Sequence, residues 1–206
     1  MPNIQRPKEL GKLIVIGGPG GSGSSTISKM FSRKWYLHRL YGGDLIRKKA
    51  GYQVVEEFIK SDLKDNEKID MEVDEYLLKM SFQKNILIEI KVFAALSLIR
   101  YIHTTLKIWL HADVETSVRR IFERENWNIE EGRFQEEVSK LKQRRQNDVD
   151  RYMKIYKVDI STPEKYNDIM LDTSKLDVYN TGKAIIDKIK SDPVLLSCFS
   201  AEDLKY

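Results

Sequence analysis

A single cysteine, Cys198, occurs in the 206 residues, so no internal disulfide can form and the chain suits a reducing compartment. Long apolar runs are absent as well. The longest, "VFAALSLI", lies between Lys91 and Arg100 and is far too short to cross a bilayer. The start, "MPNIQRPKELGKLIVIGG", has only a brief apolar stretch at residues 13–16 and lacks the h-region of a secretory signal. A cytoplasmic protein without a membrane partner is expected. Excess charge of one sign is nearly missing too: 35 basic against 31 acidic residues leave +4, too little to argue for nucleic acid. Seven of the 12 arginines do fall between positions 119 and 151. Acids are interspersed there, so the cluster reads either as a solvated helical face or as guanidiniums that hold phosphate. With 32% charged and 41% hydrophobic residues, the composition is that of a folded chain with one good-sized core.

No internal repeat or low-complexity linker divides the chain. "KLIVIGG" is a short β-branched run closing on glycines, as a buried parallel strand would. Helical spacing in "STISKMFSRKW" sets Ile27, Met30 and Phe31 on one side. "WYLHRLYGGD" reads as a second strand ending in a glycine turn, with Asp44 capping the helix "DLIRKKA". Residues 52–80 read as charged helix with a break around "SDLKDNEKID", and further strands fall at "NILIEI", "LKIWLHA" and "NDIMLDTS". Between them come a short helix or bend at "KVFAALSLIRY" and an amphipathic helix at "DVETSVRRIFERENW", striped by Val114, Val118, Ile121 and Phe122. A charged helix runs from Glu130 to about Tyr156, and "DVYNTGKAIIDKIK" forms the last one. Strands alternating with helices are βαβ units, which build an α/β fold with a central parallel sheet covered on both faces. Residues 191–206 read either as a packing helix or as a frayed end.

"GGPGGSGSST", residues 17–26, follows the first strand and opens the first helix. That is the setting of a Walker A phosphate-binding loop. Gly18, Pro19, Gly20, Gly21, Ser22, Gly23, Ser24, Ser25 and Thr26 are its expected phosphate-binding residues. Glycines let N–H groups curl around a β-phosphate, and the helix N-terminus adds positive potential. Ser25 takes the Ser/Thr place of the motif, where the hydroxyl sits on Mg²⁺. The lysine of the motif is missing, and Ser24 stands in its place. Most of the cradle is backbone, so binding survives; what is lost is a cation that neutralises β/γ charge during transfer. Lys29 lies a helical turn further on and is a poor substitute. An arginine from elsewhere should supply the charge.

"GGDLIR" places Asp44 and Arg47 three apart at a helix start. The pair can serve a metal-bound water and a phosphate, or can be no more than an N-cap and a surface arginine. The chain resembles a nucleoside monophosphate kinase, whose pattern is a P-loop, then G-D-x-x-R, then an arginine after the third strand, then an arginine-bearing lid. More narrowly, the chain is similar to the archaeal type of cytidylate kinase, which also carries Ser or Thr for the loop lysine. "LKIWLHADVETSVRRIFERE", "RYMKIYKVDI" and "DIMLDTSKLDV" extend the resemblance over about residues 13–189. It implies a three-layer P-loop kinase fold with helical acceptor-binding and lid segments. It implies one domain over 1–206, with core at about 11–50, 84–118 and 165–190, acceptor helices at about 51–83 and lid at about 119–155. ATP as donor, Mg²⁺, and CMP or dCMP as acceptor follow from the same resemblance, with small-molecule nucleotides as the partners. Its catalytic positions transfer to Arg120, Arg124 and Arg151. Arg120 and Arg124 share one helix face and are candidates for the missing charge on the donor phosphates. Arg144, Asp148 and Arg151, spaced R-x3-D-x2-R, match the element that holds acceptor phosphate and nucleoside. Asp44, Arg47 and Lys91 complete the acceptor side, and Asp44 joins Ser25 near the metal.

One departure stands out. The family shows Gly-Arg after the third strand, where "IEIKVF" has Ile90 and Lys91. Lysine keeps the charge but loses the bidentate fork, and Ile90 adds bulk where a ligand approaches, so weaker acceptor binding is expected. Glu89 reads either as a structural hydrogen-bonding group or as part of a base pocket. Two rival readings stand beside the main one: an acceptor such as UMP or AMP, and a nucleotide-binding protein without transfer, motivated by Ser24 and Lys91 together. RNA binding has the least support, for want of an aromatic stacking motif. The sequence leaves monomer and homodimer equally open.

Overall fold

The computed structural model describes residues 6–50, 63–128 and 130–206. Five strands, β1 (Leu13–Gly17), β2 (His38–Tyr41), β3 (Ile86–Glu89), β4 (Leu106–His111) and β5 (Ile169–Asp172), form one sheet in the order β2-β3-β1-β4-β5. Every pairing is parallel, and central β1 sets Val15 between Ile88 of β3 and Lys107 of β4. Because β1 is covered on both faces it is apolar and buried throughout. Its side chains alternate: Leu13 and Val15 join Ile86 and Ile88 in one cluster, while Ile14 and Ile16 join Leu87, Ile108 and Leu110 in the other. A continuous apolar run is what a doubly covered parallel strand requires.

Eight helices are found among the described residues: α1 (Ser24–Lys34), α2 (Gly42–Ala50), α3 (Leu63–Met80), α4 (Phe93–Ile99), α5 (Val114–Glu125), α6 (Glu131–Tyr156), α7 (Val178–Ser191) and α8 (Pro193–Leu196). One face of the sheet is closed by Val73 and Leu77 of α3, Phe93 and Leu96 of α4, and Tyr152 of α6. The other is closed by Ile27 and Phe31 of α1 and by Ile185, Ile186 and Ile189 of α7. Each such side chain contributes roughly 1.5–3 kcal/mol on burial. A third, smaller core unites α5 with α6: Val118 and Phe122 against Phe134, Val138 and Leu141. None of these described helices is long and apolar enough to cross a membrane.

The expected three-layer α/β architecture is present, with two local differences and one open reading decided. Helix α2 begins at Gly42, so Asp44 lies inside its first turn and not at the N-cap position. Helix α3 runs unbroken from Leu63 to Met80, so no break separates residues 63–70 from the remainder of the helix; residues 52–62 of the expected helix lie outside the described residues. Finally, residues 191–206 pack. Leu195, Phe199 and Leu204 join the α1–α7 core, Trp35 Nε1 donates to the Asp203 carbonyl at 3.0 Å, and Lys12 pairs with Asp203 at 3.0 Å. Gly182 makes room for Tyr206: a Cβ there would lie 1.9 Å from the tyrosine hydroxyl.

Candidate active site

The glycine-rich loop leaves the carboxyl end of β1 between the ends of β3 and β4, the crevice where open α/β sheets hold ligands. Gly21 and Gly23 have φ of 80° and 87°, the left-handed region that favours glycine. A Cβ on Gly21 would also come within 2.6 Å of the Ser117 backbone oxygen. Gly23 occupies the N-cap of α1 and offers no side-chain acceptor to the first turn. The helix-start N–H groups are therefore left for an anion.

Behind the loop is a buried carboxylate. Register pairs Glu89, the last residue of β3, with Ile16 of β1, which brings it beneath α1. Ser25 Oγ donates to Glu89 Oε1 at 2.5 Å, and the Ser28 hydroxyl donates to Oε2. Arg39 of β2 donates from Nε to Oε2 at 2.9 Å and adds a second contact from Nη2. The Arg39 guanidinium also lies 4.9 Å from the Tyr41 ring centroid. Glu89 is only 3% exposed, and a charge so deeply buried needs this set of partners.

A chain of ionic contacts runs from the sheet into α6 and across to α3. Lys91 pairs with Asp148 Oδ2; Arg151 Nη2 donates to Asp148 Oδ1 at 2.8 Å, and its Nε lies 2.8 Å from Asp70 Oδ2. Burial pushes against ionised Asp148, yet Lys91 and Arg151 outweigh it and hold the carboxyl below its ordinary value. Half-buried Arg144 adds positive potential to Asp148 and Lys91. Burial dominates on α3, lifting Asp70 to about 6 and Asp74 to about 7; the Tyr156 hydroxyl donates to Asp74 at 2.7 Å. Beside this chain a cavity of about 300 Å³ opens between the loop and α6, lined by Pro19, Lys91, Trp109, Lys142, Arg145 and Asp148 among others. Ile90 is not among its walls. Its side chain rests on Gly42, where a Cβ would meet it at 2.5 Å, so the extra bulk falls toward α2.

Arginines on α5 and α6 have separate tasks. Arg120 donates to the carbonyls of Gly21 (3.3 Å), Thr173 (2.6 Å) and Leu176 (3.1 Å) and to Thr173 Oγ1 (3.0 Å). It thereby ties the phosphate loop to the segment after β5. Arg124 is largely exposed and pairs with its neighbour Glu125 at 2.8 Å. Arg145 donates to the Ala112 carbonyl and to Ser117 Oγ at 3.2 and 2.8 Å, fastening α6 to the β4–α5 turn.

Comparison with known proteins finds relatives over most of the chain. Residues 16–142 match a family model described as an AAA domain. The cytidylate kinase of Methanocaldococcus jannaschii is 31% identical over 183 residues, covering 86% of this chain and 99% of that one. The cytidylate kinase of Methanopyrus kandleri is 30% identical over 194 residues, covering 88% and 97%. This chain belongs to the archaeal cytidylate kinase family of P-loop kinases. Among solved structures, shikimate kinase from Acinetobacter baumannii in complex with shikimate superposes with a TM-score of 0.58, at 16% identity, over 90% of this chain and 97% of that one, a likeness of fold. The protein is thus a nucleoside monophosphate kinase, and family membership implies ATP as donor and, usually, Mg²⁺.

In this kinase Pro19 of the loop shares the cavity wall with Lys91 and Asp148, Arg151 contacts Asp148, and Arg144 acts on Asp148 electrostatically. Asp44 is exposed on the first turn of α2, and the side chain of Arg47 lies outside the described residues. Arg120 and Arg124 sit one turn apart on α5 with the partners given above. The sequence had shown Glu89 without its purpose: "NILIEI" ends like many strands, and only the β1–β3 register brings the carboxylate to Ser25. Arg39, Asp70 and Asp74 carried no motif that singled them out. A serine hydroxyl beside a carboxylate, Ser25 against Glu89, is a hard-oxygen set. Such a set suits Mg²⁺, which is commonly held by one or two carboxylates together with substrate phosphates.

Proposed function

We propose that this kinase transfers the γ-phosphoryl group of ATP to CMP or dCMP, reversibly and in a lysine-less P-loop. The observation that carries the reading is the cavity in which the loop, at Pro19, faces Lys91 and Asp148. Pro19 of the loop gives this cavity a donor side, and Lys91 with Asp148 an acceptor side. The backbone of residues 18–26 holds the donor phosphates. Ser25 and Glu89 would hold Mg²⁺, with Asp44 nearby, and the ion would supply further neutralisation of phosphate charge. Lys91, Arg47, Arg144 and Arg151 orient the acceptor phosphate, and Asp148 contacts its nucleoside. Arg120 shapes the donor side, and Arg124 folds onto the donor phosphates when the segment 119–155 closes as a lid. An ionised phosphate is already a nucleophile, so no general base is required, and catalysis is positioning plus electrostatics. Closure excludes water and limits ATP hydrolysis. Support for cytosine comes from the cytidylate kinase relatives and from the R-x3-D-x2-R spacing around Asp148. Parallel assays with CMP, dCMP, UMP and AMP test the choice: turnover at least tenfold higher with CMP or dCMP is expected, and turnover confined to AMP refutes it.

A further inference from the structure

The loop lacks its cation at Ser24, and the charge has to come from a side chain that reaches the same space. Three cations line the cavity beside Pro19: Lys91, Lys142 and Arg145. Lys91 is taken up by Asp148, and Arg145 by the Ala112 carbonyl and Ser117. Lys142 is exposed, and among the described residues no hydrogen bond or ion pair holds it. Its place on α6 is set by its neighbours. Leu141 comes 3.9 Å from where a Cβ on Gly20 would stand and is buried in the α5–α6 core, so the helix crosses the loop at this point. Val138, Lys142, Arg145 and Val149 follow at helical spacing on one face. Arg145 and Val149 on that face also line the cavity, and Lys142 and Val138 line the adjoining cleft of about 500 Å³ with Asp113 and Arg119. Lys142 therefore shares the wall of the cavity with Pro19 of the phosphate loop and carries its ammonium on a flexible four-carbon stem.

We propose that Lys142 is a catalytic residue of this kinase: its ammonium takes over, from the opposite wall, the task of the lysine missing at Ser24. The inference rests on the proposed phosphotransfer. An oxygen of the acceptor phosphate bonds to the γ-phosphorus while the bond to the β–γ bridging oxygen breaks, and that electron pair leaves on ADP. No proton has to move. Lys142 offsets the charge that gathers on the bridging and γ-oxygens. Because the cation comes from α6 and not from the loop itself, ATP bound under an unseated α6 lacks it. Transfer is thereby tied to the seating of the helix, and wasteful hydrolysis is held back.

The test is a set of variants read by turnover and by nucleotide binding. Lys142→Met keeps the stem and removes the charge; kcat at saturating substrates falls about 100-fold, the scale seen when one transition-state donor is lost, with melting temperature unchanged at this exposed position. Lys142→Arg retains kcat within about threefold. Adding Ser24→Lys to Lys142→Met recovers at least about tenfold, since the charge returns from the other side. Calorimetric titration with ATP and with ADP gives a second reading: Lys142→Met loses about tenfold of the preference for ATP. Wild-type kcat in Lys142→Met overturns the proposal, as does a double variant no faster than Lys142→Met. If the wild-type protein phosphorylates none of the four nucleotides, the functional reading falls and the titrations alone decide on Lys142. An ATP preference unchanged by Lys142→Met then overturns the inference, and a lost preference upholds it.

Discussion

Glu89 receives hydroxyl donors from Ser25 and Ser28 and a guanidinium from Arg39, and this fixes its carboxylate at the edge of the phosphate loop. Replacing it with glutamine keeps the shape and removes the charge. In Glu89→Gln the Mg²⁺ concentration for half-maximal turnover should rise about 10- to 100-fold, as for other groups that orient a metal. An unchanged Mg²⁺ curve would leave Glu89 a purely structural partner of Arg39. The serine at position 24 and the glycine pattern were legible at once, because a phosphate loop is local in sequence. The partnership of Glu89 was not, since residues 64 apart meet only through strand register. Lys91 shows the same limit: its charge could be read as an acceptor ligand, while its pairing with Asp148 depends on where α6 lands.

Helix α3 carries Asp70 and Asp74 four residues apart, both buried and close to Arg151, Tyr152 and Tyr156, with Glu67, Glu75 and Asp148 adding negative potential. A carboxyl lifted to about 7 in the fold binds its proton more tightly there than in the unfolded chain. Its ionisation therefore costs stability that accumulates as pH rises from about 4 to about 7. Asp74→Asn keeps an acceptor for Tyr156 and removes that cost. By urea unfolding the variant should be about 1–3 kcal/mol more stable than wild type at pH 8, with the gap closing toward pH 4; a constant gap across pH would rule out titration of this site as the cause. The C-terminal segment makes a different prediction. Phe199 is buried and its ring lies 5.1 Å from that of Trp35, so Phe199→Ala should cost about 3 kcal/mol while leaving kcat of the folded protein intact. A loss below about 0.5 kcal/mol, within the range of a neutral surface change, would show that the segment does not brace the fold. Apolar periodicity announced α1, α5 and α7. It could not announce the tail, because "LLSCFS" is too short to have a period and its partners are on α1 and α7.

Across the whole molecule, the sheet order β2-β3-β1-β4-β5 places the loop at the centre of one edge, and α6 spans it from the third, smaller core. Alternating strands and helices foretold a parallel sheet; the order of its strands was not legible in the sequence, since propensity and period are blind to it. The same geometry accounts for a kinase without the usual loop lysine: the cradle is backbone, and the positive charge lies in α6 and at Lys91, on the far side of the cavity. The central claim is that these two walls together move a phosphoryl group onto a cytidine nucleotide. Incubating the purified protein with ATP, Mg²⁺ and CMP, and following ADP and CDP together, tests it most directly. The account predicts ADP and CDP in equal amounts from the first turnovers. ATP bound at the loop with no CDP formed would contradict it.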